Sequence, residues 1–171
     1  STEPNLQNIP TRTDLGSKMR EMFVAAPGHV LVDADYSQIE LRLLAHISGD
    51  EAMQQAFLSG EDFHTVTASR VFHVTPEEVT PEMRRRAKAV NFGIVYGISD
   101  FGLARNTGMS RKEAAAFIEK YFATYPGVRG FRDRAVKEGY ETGMARTIFG
   151  RVRRLDELKS GNVNIRKFGE R

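Results

Sequence analysis

Residues 84–97 read RRRAKAVNFGIVYG: four cations, an apolar run with two aromatics, two glycines and no carboxylate. Just upstream, Thr80 and Pro81 combine a capping side chain with a ring that suits a first helical turn, which predicts one helix over 81–97. Residues four apart on a helix advance about 40° around the axis and ~6 Å along it. Arg84, Lys88, Phe92 and Tyr96 therefore form a slowly winding ridge of roughly 18 Å, cationic at its start and aromatic at its end. That order suits a nucleoside triphosphate laid along the helix, with phosphates on the cations and sugar and base against the rings. Gly93 and Gly97 leave the rim beside the rings uncrowded. Helical spacing alone leaves a second reading open, in which Phe92 and Tyr96 are core and the basic start is merely solvated.

Upstream, the run 29–35 (HVLVDAD) is apolar and β-branched with an acidic end, and predicts a short strand. Asp33 and Asp35 fall on one side of it, and a carboxylate beside the Tyr36 carbonyl offers hard oxygens of the kind Mg²⁺ prefers. Spacing equally allows Asp35 to be a helix cap, and two-metal chemistry needs a further carboxylate from elsewhere. Ser37 is placed to cap a helix ending near Gly49, with Ile39, Leu41, Leu43, Leu44 and Ile47 as its apolar stripe. Further helices are predicted over 50–58, 62–72, 99–105 and 111–123, the last with a Ser110/Glu113 capping box. Another runs from Pro126 to about Gly139, a small hairpin turns at Gly150, and a final helix starts near Ser160. The residues before Ala26 read as an irregular lead-in. The fold class is thus mainly α with a little β (α+β), and a lone strand over 29–35 lacks partners within the chain.

The 171 residues, 40% hydrophobic and 27% charged, suit a soluble globular chain of one domain or slightly more. No apolar run approaches a membrane span, and the start STEPNLQNIP has no basic segment followed by an apolar one, which argues against membrane insertion and secretion and is compatible with a cytoplasmic setting. The absence of cysteine excludes disulfides, thiolate metal sites and a cysteine nucleophile. The net charge of +3 conceals an asymmetry. Residues 1–80 carry 5 Lys/Arg against 12 Asp/Glu, whereas 81–112 carry 7 against 2 and 146–171 carry 8 against 3. Cations held in one place and phosphates in another would use such a division, and so would solvated helix faces.

DADYSQIELRLLAHISGD and RRRAKAVNFGIVYGIS resemble motifs A and B of the family A DNA polymerases. NLQNIPTR, EDFHTVTASRVF, FGLAR, YFATYPGV and FGRVRRL stand in the family's order around them, so the resemblance spans essentially the whole chain. It implies a helical fingers subdomain with part of a palm: residues 1–49 as partial palm, 50–171 as fingers with the start of a palm-directed helix. It implies template-directed DNA synthesis, with primer–template DNA and deoxynucleoside triphosphates as partners and two Mg²⁺ ions as cofactor. Asp35 then resembles the metal-binding catalytic aspartate, with the Tyr36 carbonyl as a further ligand. Glu40 matches the residue that excludes a ribose 2′-hydroxyl, and Gln38 lies near the active-site floor. His64, Arg84 and Lys88 match contacts to the nucleotide phosphates, and the compact charge of a lysine at 88 can also donate a proton to the leaving pyrophosphate. Phe92 matches the rest for sugar and base, and Tyr96 a stacking residue on the template side. Asn5, Gln7, Arg12, Arg166 and Arg171 are candidates for DNA contact. His29, His46 and His73 match no catalytic position.

The chain departs from the pattern in several places. The family's downstream His-Asp-Glu string and its Asn-x-Pro-x-Gln-Gly segment are absent, as are the thumb and the Gly-Arg-Leu string that precedes this region. The resemblance therefore implies a piece of a larger polymerase that is inactive in isolation. Arg86 stands where small residues are common, and Val152 and Asp156 interrupt an arginine-rich string. The competing reading is a non-catalytic, basic nucleic-acid-binding module.

Overall fold

The computed structural model describes residues 13–171. The chain divides into two compact units, one ending at Ser37 and the other comprising Gln38–Arg171.

In the first unit, α1 (Asp14–Arg20) is a helix that the lead-in reading does not anticipate. Thr13 caps it by accepting the Gly16 amide at 3.1 Å. Asp14 in the first turn and Lys18 and Arg20 in the last complement the helix dipole. The strand predicted over 29–35 does not form, and the segment is irregular apart from a turn that joins His29 N–H to the Ala26 carbonyl. Val30, Leu31 and Val32 are 81, 66 and 84% exposed. An extended segment without a partner leaves its amides and carbonyls to water, so alternation and β-branching alone do not make a strand.

The second unit is helical. Its helices are α2 (Ile39–Ser48), α3 (Glu51–Leu58), α4 (Phe63–Phe72), α5 (Pro81–Val95), α6 (Asp100–Thr107), α7 (Arg111–Thr124), α8 (Pro126–Thr142) and α9 (Val163–Gly169). Pro76–Glu78 and Asp156–Lys159 are short 3₁₀ turns. β1 (Met144–Arg146) and β2 (Val152–Arg154) form the antiparallel hairpin, with Met144 opposite Arg154 and Arg146 opposite Val152. The mainly-α expectation therefore holds, the hairpin included. No described helix is long and apolar enough to cross a membrane.

Most helix starts follow the capping chemistry written in the sequence. Thr80 accepts the Met83 amide, Asp62 the Thr65 amide, and Ser110 and Glu113 close a reciprocal box. α2 differs: its cap is Gln38 rather than Ser37, in the left-handed region at φ 53° and with no side-chain cap bond. α8 has no cap of its own either. Its Gly127 amide donates to Asp50 Oδ2 at 2.8 Å, while Asp50 Oδ1 accepts the Met53 amide of α3 at 2.9 Å. One buried carboxylate thereby serves two helix N-termini and ties the start of α3 to the start of α8. The core lies between α2, α4, α5, α7 and α8, with Leu41, Phe63, Val71, Val90, Tyr121, Tyr125 and Val128 all almost fully enclosed.

Candidate functional site

α5 buries Ala87, Val90, Asn91 and Gly93, which places the Arg84–Lys88–Phe92–Tyr96 ridge on another face. Lys88 is exposed, Phe92 half-buried and Tyr96 62% exposed. This settles the choice left open by spacing: the ridge is surface rather than core. The basic start is less free than its sequence suggests. Glu82, one turn upstream, accepts from Arg85 and Arg86, both at 2.8 Å. Arg84 donates through Nε and Nη2 to Asp62, both at 2.9 Å, in a bidentate fork. Two of its five N–H groups are thus used, leaving three for another anion. Of the cations at 84, 85, 86 and 88, Lys88 alone forms no ion pair among the described residues.

Asp62 also caps α4, so the fork fastens the start of α4 to the first turns of α5. Burial pushes the Asp62 carboxyl up, but the hydrogen bonds from Arg84 and Thr65 outweigh it and hold the group at about 2. Two residues on, His64 is 3% exposed. Its Nδ1 is 3.0 Å from Asn91 Nδ2, and its ring lies 5.7 Å from that of Phe92, centroid to centroid. Burial lowers the imidazole's pKa; the Asp62 charge opposes this, and those of Arg84 and Lys88 reinforce it. These mutual effects place His64, Arg84 and Lys88 in one electrostatic neighbourhood, bounded on one side by Phe92.

The far end of α5 is closed by a Schellman motif. Ile98 N–H bonds the Gly93 carbonyl at 2.8 Å and Gly97 N–H that of Ile94 at 3.1 Å, with Gly97 left-handed at φ 66°. The Ile98 side chain fills the space where a Cβ on Gly93 would stand, 2.6 Å from its nearest atom. Tyr96, held by this turn, points its hydroxyl at Glu40 Oε1 across 3.5 Å, the outer limit of a hydrogen bond. Beside the ridge runs an open groove of about 560 Å³ lined by Arg85, Lys88, Phe92, Tyr96, Arg105 and Arg171, among others.

The sequence model described as DNA polymerase family A matches residues 1–171. The chain belongs to that family. This family A chain is 56% identical over 171 residues to DNA polymerase I of Caldicellulosiruptor bescii and 55% identical over 172 residues to that of Geobacillus stearothermophilus. Each comparison covers all of this chain but 20% of the relative, so the chain spans about a fifth of the length of these curated relatives. A solved structure described as the POL domain of Pol1 from M. smegmatis in complex with DNA primer–template and dNTP is similar over 99% of this chain and 30% of that one. The two share 45% identity at a TM-score of 0.87.

Not every residue singled out in this family A sequence comes together. Arg84, Lys88, His64 and Phe92 gather on α4 and α5, and Glu40 meets Tyr96. Gln38 stands at the left-handed start of α2 with its Oε1 buried and, among the described residues, unpartnered. Arg166 Nη1 is taken up by the carbonyls of Ser160 and Gly161, at 2.8 and 3.1 Å. The Arg171 stem packs over Gly97, and its guanidinium lies 5.8 Å from the Phe168 ring. Asp35 and Tyr36 are exposed and belong to the first unit. Asn5, Gln7 and Arg12 lie outside the described residues. His73 sits in the left-handed region at the C-cap of α4, a structural position. Sequence reasoning missed Asp62 as Arg84's partner and Asn91 as His64's. The capping position of Asp62 was legible, but a pairing across 22 residues carried no local signal.

Proposed function

We propose that this chain is the nucleotide-gripping part of a template-directed DNA polymerase, taking deoxynucleoside triphosphates and primer–template DNA as partners. The observation that carries this is the exposed ammonium of Lys88, one turn before Phe92 and two before Tyr96, which forms no ion pair among the described residues while Arg84 is held by Asp62 and Arg85 and Arg86 share Glu82. Lys88 would hold the triphosphate and protonate the leaving pyrophosphate as the primer 3′-hydroxyl loses its proton to solvent, its oxygen bonds to the α-phosphorus and the bond from that phosphorus to the bridging oxygen breaks. Arg84 would add its three unused N–H groups, and His64 a single ring N–H. Phe92 would support the sugar and base, Tyr96 would stack beside them on the template side, and Glu40 would fill the space a 2′-hydroxyl needs. Gln38, strained and with an orphan oxygen, suits a place on the site's floor. Arg166 and Arg171 are proposed DNA contacts.

Asp35 and the Tyr36 carbonyl offer the hard oxygens that Mg²⁺ takes. They do not by themselves make up a site, since the described residues contain no group of three or more His, Asp or Glu able to hold a metal ion. The reading is tested by Lys88→Ala in a full-length family A polymerase carrying this segment, with single-turnover incorporation as the readout. The rate falls by roughly 10²-fold or more if Lys88 acts on developing phosphate charge. Near-normal incorporation sinks the assignment.

A further inference from the structure

Beneath the ridge runs a buried chain of polar side chains. Tyr125 hydroxyl and Thr67 Oγ1 are 3.1 Å apart, Thr67 Oγ1 and Asn91 Oδ1 3.3 Å, and Asn91 Nδ2 and His64 Nδ1 3.0 Å. Thr67 and Asn91 are fully enclosed. The direction of the chain follows from the Asn91 amide. Its Oδ1 can only accept, so the one Thr67 hydroxyl proton goes there, and Thr67 Oγ1 accepts the Tyr125 phenol proton. Asn91 Nδ2 can only donate, so His64 Nδ1 accepts from it. Among the described residues only Nδ1 of the His64 ring has a hydrogen-bond partner, which leaves Nε2 as the nitrogen for another group.

We propose that Asn91 is a positioning residue that holds His64 in the neutral form protonated on Nε2, so that the ring presents a donor outward while Nδ1 stays closed. The inference rests on the nucleotide reading for its use, since the donor would meet a phosphate oxygen. A neutral imidazole has one N–H, so the wrong tautomer would offer that oxygen a lone pair instead. Burial favours the neutral ring; Asp62 opposes this, and Arg84 and Lys88 support it.

Long-range ¹H–¹⁵N spectra of the ¹⁵N-histidine-labelled chain read the tautomer directly. The unaltered chain should show the Nε2–H pattern for His64. Asn91→Asp replaces the donor by an acceptor, and should move the proton to Nδ1 or raise the ring's titration midpoint by about one unit or more. Thr67→Val, close in shape, frees the amide to turn over and should mix the tautomers even if Asn91→Asp fails to fold. An Nδ1–H pattern in the unaltered chain, or an unchanged Nε2–H pattern in every variant that folds, overturns the proposal. Adding dATP to the same samples separates the two claims. A shift of the Nε2–H signal supports both, whereas an intact Nε2–H pattern that dATP leaves unmoved supports the positioning role and refutes the phosphate contact.

Discussion

Asp62 combines a helix cap and an ion pair in one carboxylate, and substitution can separate them. The group accepts the Thr65 amide and hydroxyl, each at 2.8 Å, and Arg84 Nε and Nη2, each at 2.9 Å. Asp62→Ala removes cap and pair, Asp62→Asn keeps a capping oxygen but loses the charge, and Arg84→Ala breaks the pair alone. A lost N-cap costs about 1 kcal/mol. The fall of the Asp62 pKa from 3.8 to about 2 would correspond to roughly 2.5 kcal/mol if taken whole. The side chains are 46 and 36% exposed, however, and solvent screening reduces the pair to about 0.5–1 kcal/mol. Asp62→Ala should therefore destabilise by about 1.5–2 kcal/mol, and Asp62→Asn and Arg84→Ala by about 0.5–1 kcal/mol each. Urea melts followed by circular dichroism at low salt measure these values, and the Asp62→Ala/Arg84→Ala cycle isolates a coupling of about 0.5–1 kcal/mol. Because the folded pKa is depressed, the contribution is complete above 3.8 and fades as pH falls towards 2. A coupling below about 0.2 kcal/mol at neutral pH, or a cycle insensitive to both acid and salt, would refute this account of the α4–α5 junction.

Gly127→Ala should destabilise by about 1–3 kcal/mol, because the new Cβ would stand 2.9 Å from both Asp50 Cα and Cβ where the two helix starts share one carboxylate. A melting temperature lowered by less than about 2 °C would show that this junction yields. Tyr121→Phe removes a buried hydroxyl that has no partner among the described residues and should be neutral or stabilising by up to about 1 kcal/mol; a clear loss in thermal melts would reveal a bond to an enclosed water.

Where local chemistry decided the outcome, the sequence was readable. Thr80 with Pro81, Ser110 with Glu113 and Pro126 each announced a helix that begins there. The segment 29–35 was misleading because a strand is a property of a pair, and its composition carried no information about a partner. α1 was passed over although Thr13, Asp14 and Lys18 are a start, a first turn and a last turn in miniature. At the site, helical periodicity placed the ridge correctly but could not say which cations were already spoken for. Nor could it show that Asn91, one residue before the exposed ridge resumes at Phe92, faces inward to His64. Such pairings depend on how α4 lies on α5, and no spacing within either helix encodes that.

The Schellman turn that ends α5 also limits how the site can be redesigned. Because Ile98 occupies the volume beside Gly93 and Gly97 must turn left-handed, neither glycine can serve as a gradual adjustment. A side chain at either breaks the stop instead of retuning it. Ile98 is the adjustable part: shortening it to valine or alanine would loosen the plug while leaving both backbone bonds possible. A protein engineer who wants to re-aim the Tyr96 ring should therefore vary the residue that lies beyond the helix, and leave the helix itself alone.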